Sequence, residues 1–308
     1  MSRKAKYLLT RLLYMVITLI GVSIIAFALV RLTPGNPAEL MLPEDATAEQ
    51  IYAQEEKMGL HDPLLVQYFK YMSGVIRLDL GTSFRYGMSV NELIAMRFPA
   101  TLKLASLTLA WSLLFSIVMG IIAGVNRGKF ADLFSMIFSL IGQSVAPVWL
   151  GMMLILLFAV RLGWLPSSGP GGFKNLILPS VTLGLSQAAL TTRLMRTGMS
   201  DVLKEDYITA TRARGISKMK VYTKYAFKNA ILPVITVTGG RVGALLVGSS
   251  VVESVFAWPG MGQLLVFAIA QRDMQVVQSM LLVSAFIIAV INLIVDILYT
   301  VVDPRISY

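Results

Sequence analysis

The sequence contains no cysteine and only one histidine, His61. Without thiols, neither a disulfide framework nor a thiolate metal site can form, and a single imidazole argues against a histidine metal cluster or a histidine-based catalytic triad. No phosphate-binding loop is present either, because Gly128-Lys129 lacks both the earlier glycine and the following hydroxyl of that motif. We therefore predict no metal site, no bound cofactor and no catalytic residue in this chain.

Charge is also scarce. Charged residues make up 14% of the 308 residues and hydrophobic residues make up 56%, whereas soluble domains usually carry about 25% charged residues. The net charge of +10 is compatible with nucleic-acid binding, but the basic residues cluster beside apolar runs and do not interleave with aromatic residues. The composition predicts an integral membrane protein in a lipid bilayer and no nucleic-acid partner.

Six apolar runs are predicted to cross the membrane, since a bilayer core of about 30 Å needs about 20 apolar residues. Gly120 and Gly124 in the second run have the spacing of close helix packing, and Pro147 is predicted to bend the third. The fourth contains enough polar residues to face protein or an aqueous path, and the fifth is interrupted by Gly239-Gly240 and the charged Arg241. The runs cover residues 12–30, 104–125, 133–160, 175–192, 229–252 and 276–295.

One further uncharged segment, residues 254–271, is broken by Trp258-Pro-Gly-Met-Gly262. It is either a seventh span or a re-entrant element, and irregular backbone exposed to lipid is not tolerated. We therefore predict an outward-facing re-entrant element over residues 253–275. The fold class is then an all-α integral membrane protein, with six transmembrane helices forming one domain over residues 1–308.

Charge asymmetry orients the chain by the positive-inside rule. Basic residues precede the first run, which is longer than a signal-peptide core, so we expect a retained span with a cytoplasmic amino terminus. Residues 31–99 carry six basic and nine acidic residues and are predicted to be an extracytoplasmic connection. It opens with the turn Thr33–Pro37 and contains helix-like segments at 49–58 and 67–76. Six spans place both termini in the cytoplasm.

The segment from Leu203 to Pro233 is a charged island between apolar runs. Helix-forming residues lead to Gly215, where the chain can turn sharply, so the pattern predicts helix, corner, helix. Lysines at 220, 224 and 228 share one face of the second helix, and apolar residues at 216, 219, 222 and 226 share another. Nine basic and three acidic residues between Arg193 and Lys228 place a loop over residues 197–228 in the cytoplasm.

This island carries a resemblance. Residues 206–215, Asp-Tyr-Ile-Thr-Ala-Thr-Arg-Ala-Arg-Gly, followed by Lys-Asn-Ala-Ile-Leu-Pro at 228–233, resemble the coupling loop of ATP-binding cassette (ABC) importer permeases, most closely the dipeptide, oligopeptide and nickel branch. The general Glu-Ala-Ala pattern falls on Thr209, Ala210 and Thr211, so its acidic residue is absent. Further segments resemble landmarks of the same branch: Thr33–Pro37, Leu80–Ser83, Val252–Gly262, Gln271–Asp273 and Asn292–Asp296.

The resemblance implies a B-type permease subunit with a coupling helix. Its partners would be a second homologous permease subunit, two cytoplasmic ATPases that hold ATP and Mg, and an extracytoplasmic substrate-binding protein. The energy source missing from this chain would then come from those ATPases. The simpler alternative for the island is a basic anchor on anionic lipid, worth about 1 kcal/mol per basic residue. The residues expected to contact an ATPase are Glu205, Asp206, Tyr207, Thr209, Ala210, Thr211, Arg212, Arg214 and Gly215.

A second set of residues is predicted to line the translocation path or its outer gate: Gln187, Arg241, Trp258, Pro259, Gly260 and Asp296. A structural ion pair between Arg241 and Asp296, and a purely structural loop around Trp258, are the alternatives. An ion-driven secondary transporter or channel, or a non-transporting scaffold, also remains open, although the sequence lacks an inverted repeat and midplane carboxylates. The resemblance leaves the substrate among peptides, glutathione and nickel complexes; the compact turn at 163–172 is more similar to the nickel and glutathione members.

Overall fold

The computed structural model describes residues 3–302 except 33–35, 37, 40, 41, 44 and 248. The predicted turn at 33–37 therefore lies outside the described residues apart from Asn36. Two π-helical stretches, Ile155–Arg161 after α6 and Val221–Ala226 between α9 and α10, continue their neighbouring helices. The α-helices of the described residues are α1 (Arg3–Leu32), α2 (Ala48–Lys57), α3 (Leu64–Ile76), α4 (Val90–Val125), α5 (Phe130–Ser144), α6 (Pro147–Leu154), α7 (Phe173–Val202), α8 (Asp206–Ala213), α9 (Lys218–Lys220), α10 (Phe227–Ala230), α11 (Leu232–Val247), α12 (Ser250–Val255), α13 (Met261–Ala270) and α14 (Met274–Val302).

Three of these helices, α1, α4 and α14, are long and apolar enough to cross a membrane. Two bent pairs raise the number to five if each is one broken span: α5 with α6, bent by 104°, and Lys218–Ala230 with Leu232–Leu246, bent by 51°. The bend predicted at Pro147 is confirmed. The all-helical membrane class is supported, but the count of six spans is not. The serines, threonines and glutamine of α7 make this helix too polar to count as a membrane span by its composition.

The predicted connection between the first two spans, residues 31–99, contains three helical segments. The helix-like segments are confirmed as α2, whose Thr47 forms a capping box with Gln50, and α3. However, α4 begins at Val90 and continues through Pro99, with the Ser89 hydroxyl accepting from the Asn91 amide at its start. Residues 90–99, expected in the connection, are therefore the first turns of α4.

α7 is the central helix, and close packing against α4 and α5 holds it there. It runs parallel to α4: a Cβ on Gly120 would lie 2.5 Å from Cβ of Met195, and a Cβ on Gly124 would lie 2.6 Å from Cβ of Met199. The predicted close packing at these two glycines is confirmed. α5 runs antiparallel to α7 and approaches it at Gly142, where an added Cβ would lie 2.7 Å from that of Ala189.

The fifth predicted span differs from expectation. α11 runs without interruption through Gly239, Gly240 and Arg241, because a single glycine pair costs a helix only about 1 kcal/mol per glycine. The bend falls earlier, between α10 and α11. α12 and α13 then form a broken hairpin, and ten residues of α13 extend only about 15 Å, which is half a bilayer core. Residues 254–271 are not a seventh span.

The helices define two ends of the bundle. At one end, α7 leads into α8, and the α4–α5 turn lies beside them, with Arg127 donating to the Ser200 hydroxyl at 2.9 Å. At the other end, the α12–α13 hairpin lies near the start of α7, where the Gly169 amide donates to the Phe256 carbonyl at 2.9 Å. We call these the α8 end and the α13 end.

Candidate coupling surface and broken hairpin

The helix–corner–helix predicted around Gly215 is present. α7 ends at Val202, α8 follows Glu205, and Gly215 turns the chain with a φ of +74° before α9. No atom lies within 4 Å of a Cβ added at Gly215. Glycine is therefore required for its left-handed backbone conformation and not for space. The helix predicted from Leu203 begins three residues later than expected, since residues 203–205 form a turn.

The inner face of α8 is anchored in a hydrophobic cluster. Ile208 is fully buried, and Thr211, three residues later, is also buried and donates its hydroxyl to the Tyr207 carbonyl at 2.7 Å. Thr211 therefore lies on the chain's own side of α8, away from the surface that a partner could reach. The sequence analysis missed Ile208, although it is the one large aliphatic residue of α8. The buried cluster around it contains Met195, Met199, Val221, Ala226, Ala230 and Val234.

The outer face of α8 is uncovered and carries both signs of charge. Tyr207 is 40% exposed, and its hydroxyl accepts from the Asn229 side-chain amide at 2.8 Å, which ties α8 to α10. We call a set of exposed residues in and beside α8 the α8 surface. They are Glu205, Asp206, Thr209, Ala210, Arg212, Arg214 and Gly215.

The lysine stripe beyond the corner is exposed at Lys220, Lys224 and Lys228. The opposite face is buried through Val221 and Ala226. Met219, which the pattern placed on the apolar face, is instead exposed. The π-helical stretch Val221–Ala226 follows Met219, and its wider turn breaks the regular α-helical spacing that would place Met219 and Ala226 on one face.

A partly buried ion pair between α5 and α7 stabilises the α8 end. Arg196 of α7 donates from Nε and Nη2 to the two carboxylate oxygens of Asp132 on α5. The Gly128 amide donates to the same carboxylate at 2.9 Å. These contacts fix the α4–α5 turn against the last two turns of α7, immediately before α8.

At the α13 end, the broken hairpin is organised by Glu253, which the sequence analysis did not single out. Its side chain is fully buried. One carboxylate oxygen accepts from the hydroxyls of Thr101 and Ser249, both at 2.8 Å, and the other accepts from the Gln263 amide at 3.0 Å. Three donors, from α4, from the residue that precedes α12 and from α13, therefore converge on one carboxylate, as a buried acidic group requires.

The hydrogen bonds of Glu253 replace a missing helix cap. α13 begins after Gly260, which has no side chain to accept from the first-turn amides. The Met261 amide donates instead to the Thr101 hydroxyl at 2.8 Å, and the Gln263 amide donates to Glu253. The positive end of the helix dipole favours a carboxylate there. A Cβ on Gly260 would lie 2.3 Å from a Glu253 oxygen, so this close approach requires glycine.

The remaining predicted gate residues have structural contacts within this chain. Trp258 is buried, and its indole nitrogen donates to the Ala100 carbonyl at 3.0 Å; Pro259 beside it is half-buried. Gln187 is buried on α7 and donates to the Thr191 hydroxyl at 3.4 Å. Trp258 and Gln187 are therefore enclosed by this chain, whereas Pro259 keeps part of its surface exposed.

Arg241 and Asp296 are not brought together. Asp296 of α14 forms an ion pair with Arg11 of α1 at 3.1 Å, so the proposed structural pair between Arg241 and Asp296 is not the pairing observed. Arg241 is exposed on α11. In the described part of the chain no ion pair involves it. Its exposed neighbours on the same helix are Pro233, Thr236, Gly240 and Ala244.

A second buried carboxylate joins the connection after α3 to the broken hairpin. Asp273, in the turn between α13 and α14, accepts from the Ser83 hydroxyl and from the Arg85 amide, the latter at 3.3 Å. Its other oxygen accepts from the Val276 amide at the start of α14, also at 3.3 Å. The family-like segments at 80–83 and 271–273 are thus in direct contact, a relation that their separation in sequence conceals.

Comparison with known proteins identifies the family. Residues 116–308 match the family described as "Binding-protein-dependent transport system inner membrane component", and residues 4–105 match "Binding-prot-dependent transport system membrane comp, N-term". The proteins named "Glutathione transport system permease protein GsiC" of Salmonella paratyphi A and of Escherichia coli K12 are each 41% identical to this chain over 302 residues, covering 98% of it and 99% of the relative. The chain therefore belongs to the inner membrane components of binding-protein-dependent transport systems and is an ABC importer permease of the dipeptide, oligopeptide and nickel type.

Proposed function

We propose that this permease forms half of the translocation path and receives the movement of two cytoplasmic ATPases through the α8 surface. The observation that carries the proposal is the division of α8 into two faces. Ile208 and Thr211 are buried against the chain itself, whereas the residues of the α8 surface, which carry both signs of charge, are exposed. A short helix anchored in this way transmits rigid-body movement of a docked ATPase to α7 and α9.

This assignment fixes the proposed orientation. The α8 end would be cytoplasmic, together with the start of α1 and the end of α14, and the α13 end would face outward. Basic residues at the α8 end, including the exposed stripe at Lys220, Lys224 and Lys228, support this orientation by the positive-inside rule. The lysine stripe then lies on the anionic lipid surface, which leaves the α8 surface for protein.

Cross-linking in the complete transporter tests the coupling proposal. Because the chain has no cysteine, Ala210→Cys introduces a single reactive thiol on the α8 surface. We expect it to cross-link to an ATPase subunit. Thr223→Cys, which is exposed beyond the corner, serves as the matched control and should not do so. Efficient cross-linking of the control alone, or of neither variant, contradicts the assignment.

We propose that the exposed face of α11 lines the translocation path. Its residues at 233, 236, 240, 241 and 244 are small, polar or charged, whereas the exposed faces of α1 and α14 carry large aliphatic side chains. A charge facing lipid at the centre of a span costs several kcal/mol. The second permease subunit would therefore lie opposite this face, with Arg241 in the aqueous space between them.

Arg241→Gln tests the path proposal. The variant removes the charge but keeps a long polar side chain, so assembly with the second permease and the ATPases should be retained. We expect ATP-dependent uptake to change in rate or in preference for anionic substrates. Arg161→Gln, at the exposed end of the π-helical stretch that follows α6, is the control. Unchanged uptake by the Arg241 variant contradicts the assignment.

We propose a small peptide of the glutathione class as the substrate. The support is the 41% identity to relatives named as glutathione permeases, together with the compact turn at residues 163–172. We also propose that ATP hydrolysis by the partner subunits drives transport, in place of the ion gradient that a secondary transporter would use. Uptake of labelled glutathione by the reconstituted transporter with its binding protein tests both points. Uptake of a dipeptide or a nickel complex in its place, or uptake without ATP, refutes this assignment.

A further inference from the structure

The helix α3 exposes large apolar side chains on one face. Leu65, Phe69 and Ile76 are 73%, 68% and 78% exposed, and their spacing places them on one side of the helix. Lys70 and Ser73 are exposed on the adjacent side. Val66 is also 41% exposed on this adjacent side, so the polar strip is narrow. A helix that exposes a broad apolar face beside a polar strip is similar to helices that lie in the plane of a membrane interface.

The contacts of α3 with α1 set its depth. The Tyr68 and Ser23 hydroxyls share a hydrogen bond of 2.8 Å, and the Tyr68 ring lies edge-on to Phe27 with centroids 5.5 Å apart. Ser23 precedes the end of the uncharged run at Val30 by seven residues, which is about 10 Å along a helix. Half of a bilayer core is about 15 Å. Tyr68 therefore lies below the headgroups, at about the 5–10 Å depth to which an interface helix buries its apolar face.

A groove of about 560 Å³ opens next to α3, between α1, α4 and α14. Among the described residues that line it, Asn91 is the one polar side chain, and its amide is already occupied: its oxygen accepts from the Leu80 amide at 3.3 Å, and its nitrogen donates to the Leu78 carbonyl. Apart from this one side chain, the groove is lined by apolar side chains. Val16, Ile20, Met72, Phe98 and Phe286 are among its lining residues.

The surroundings of the groove indicate what fills it. Ile20 of α1 and Phe286 of α14 are about half exposed, and both belong to helices that are long and apolar enough to span the membrane. The groove is therefore continuous with the surface that these spans present to the bilayer. We propose that α3 is an interface helix and that the groove beside it binds an acyl chain of a phospholipid from the leaflet at the α13 end. That this leaflet is the outer one rests on the proposed orientation.

Spin labelling tests the position of α3 in the complete transporter, reconstituted in phosphatidylethanolamine and phosphatidylglycerol vesicles. The absence of cysteine allows a nitroxide to be attached at Phe69→Cys alone. We expect relaxation by oxygen, which concentrates in lipid, and loss of relaxation by a water-soluble nickel chelate. Lys57→Cys on α2, which is exposed, is the control and should show the reverse.

Two outcomes overturn the position of α3. Strong relaxation of the Phe69 label by the nickel chelate makes α3 part of an aqueous cap. Protection from both reagents means that protein, such as the second permease, covers this face. Neither outcome bears on the α8 surface, so the failure of this proposal is distinguishable from failure of the coupling proposal.

Lipid retention tests the groove itself. Ala95→Phe fills it from α4, whereas Ala110→Phe places the same side chain on an exposed face of the same helix outside the groove. Native mass spectrometry of the purified transporter should show one phospholipid fewer per permease in the Ala95 variant than in the Ala110 variant. Equal retention by the two variants overturns the groove as a lipid site.

Discussion

The substitution Glu253→Gln is the sharpest test of how the broken hairpin is held. A glutamine keeps one carbonyl oxygen, which can accept from the Thr101 and Ser249 hydroxyls as Glu253 does at 2.8 Å. Its amide nitrogen replaces the oxygen that accepts from the Gln263 amide at 3.0 Å. The variant therefore removes one acceptor from the first turn of α13 and changes almost no volume.

The expected cost follows from that single unpaired amide. Leaving a buried donor without an acceptor costs about 1–3 kcal/mol. Because about 1.4 kcal/mol corresponds to a factor of ten in an equilibrium constant, local opening of this turn should become roughly 5- to 150-fold more frequent. Glu253→Ala leaves three donors without an acceptor and should have a larger effect.

Hydrogen exchange measured by mass spectrometry is the assay, applied to the purified chain in nanodiscs and read on the peptide that contains Met261 and Gln263. We expect exchange in this peptide to accelerate by that factor in Glu253→Gln, whereas the central part of α7 is unchanged. Glu56→Gln, an exposed position on α2, is the control. If exchange of the α13 peptide matches that of the unmodified chain, Glu253 does not cap this helix and the reasoning is refuted.

Further predictions concern the α8 end. Gly215→Val places a β-branched residue at a φ of +74°, a strain of about 1–2 kcal/mol; ATP hydrolysis should continue while uptake is lost, and normal coupled uptake would contradict the corner's role. Ile208→Ala should lower the free energy of unfolding by about 2–5 kcal/mol. The exposed control Thr209→Ala should change it by no more than about 0.5 kcal/mol. Denaturation in detergent measures both variants, and equal effects would refute the role of Ile208 as an anchor. Asp132→Ala breaks an ion pair whose carboxylate is buried and whose guanidinium is 22% exposed. Because water can partly hydrate the remaining Arg196, we expect a cost below the roughly 3–5 kcal/mol of a fully buried pair and above the roughly 0–1 kcal/mol of Asp201→Ala, from an exposed pair.

The sequence pattern predicted those features of the coupling site that depend on the backbone preference of a single residue. The corner at Gly215 was predictable because a left-handed backbone conformation selects glycine wherever it occurs. The two faces of α8 were not, since Thr211 and Ala210 are both small residues and only packing distinguishes the buried one from the exposed one. Ile208 carried a usable signal, a single large aliphatic residue in a polar helix.

Contacts between distant segments account for what the sequence could not predict in the broken hairpin. Glu253 and Thr101 are 152 residues apart, and nothing in either segment indicates that α4 supplies a hydroxyl to cap α13. The same limit applies to Asp296, whose partner is Arg11 and not the Arg241 suggested by composition. Which charges pair depends on which helices are neighbours.

Composition and periodicity by themselves determined the all-helical membrane class, the two segments that became α2 and α3, the bend at Pro147 and the close packing at Gly120 and Gly124. These features follow from hydrophobicity, backbone preference and side-chain size, which act over a few residues. Only the tertiary structure decided the network around Glu253, the pairing of Asp296 with Arg11, and the contact of α3 with α1. Each of these depends on contacts between helices far apart in the chain, and the free energy of such contacts appears only when the helices have packed.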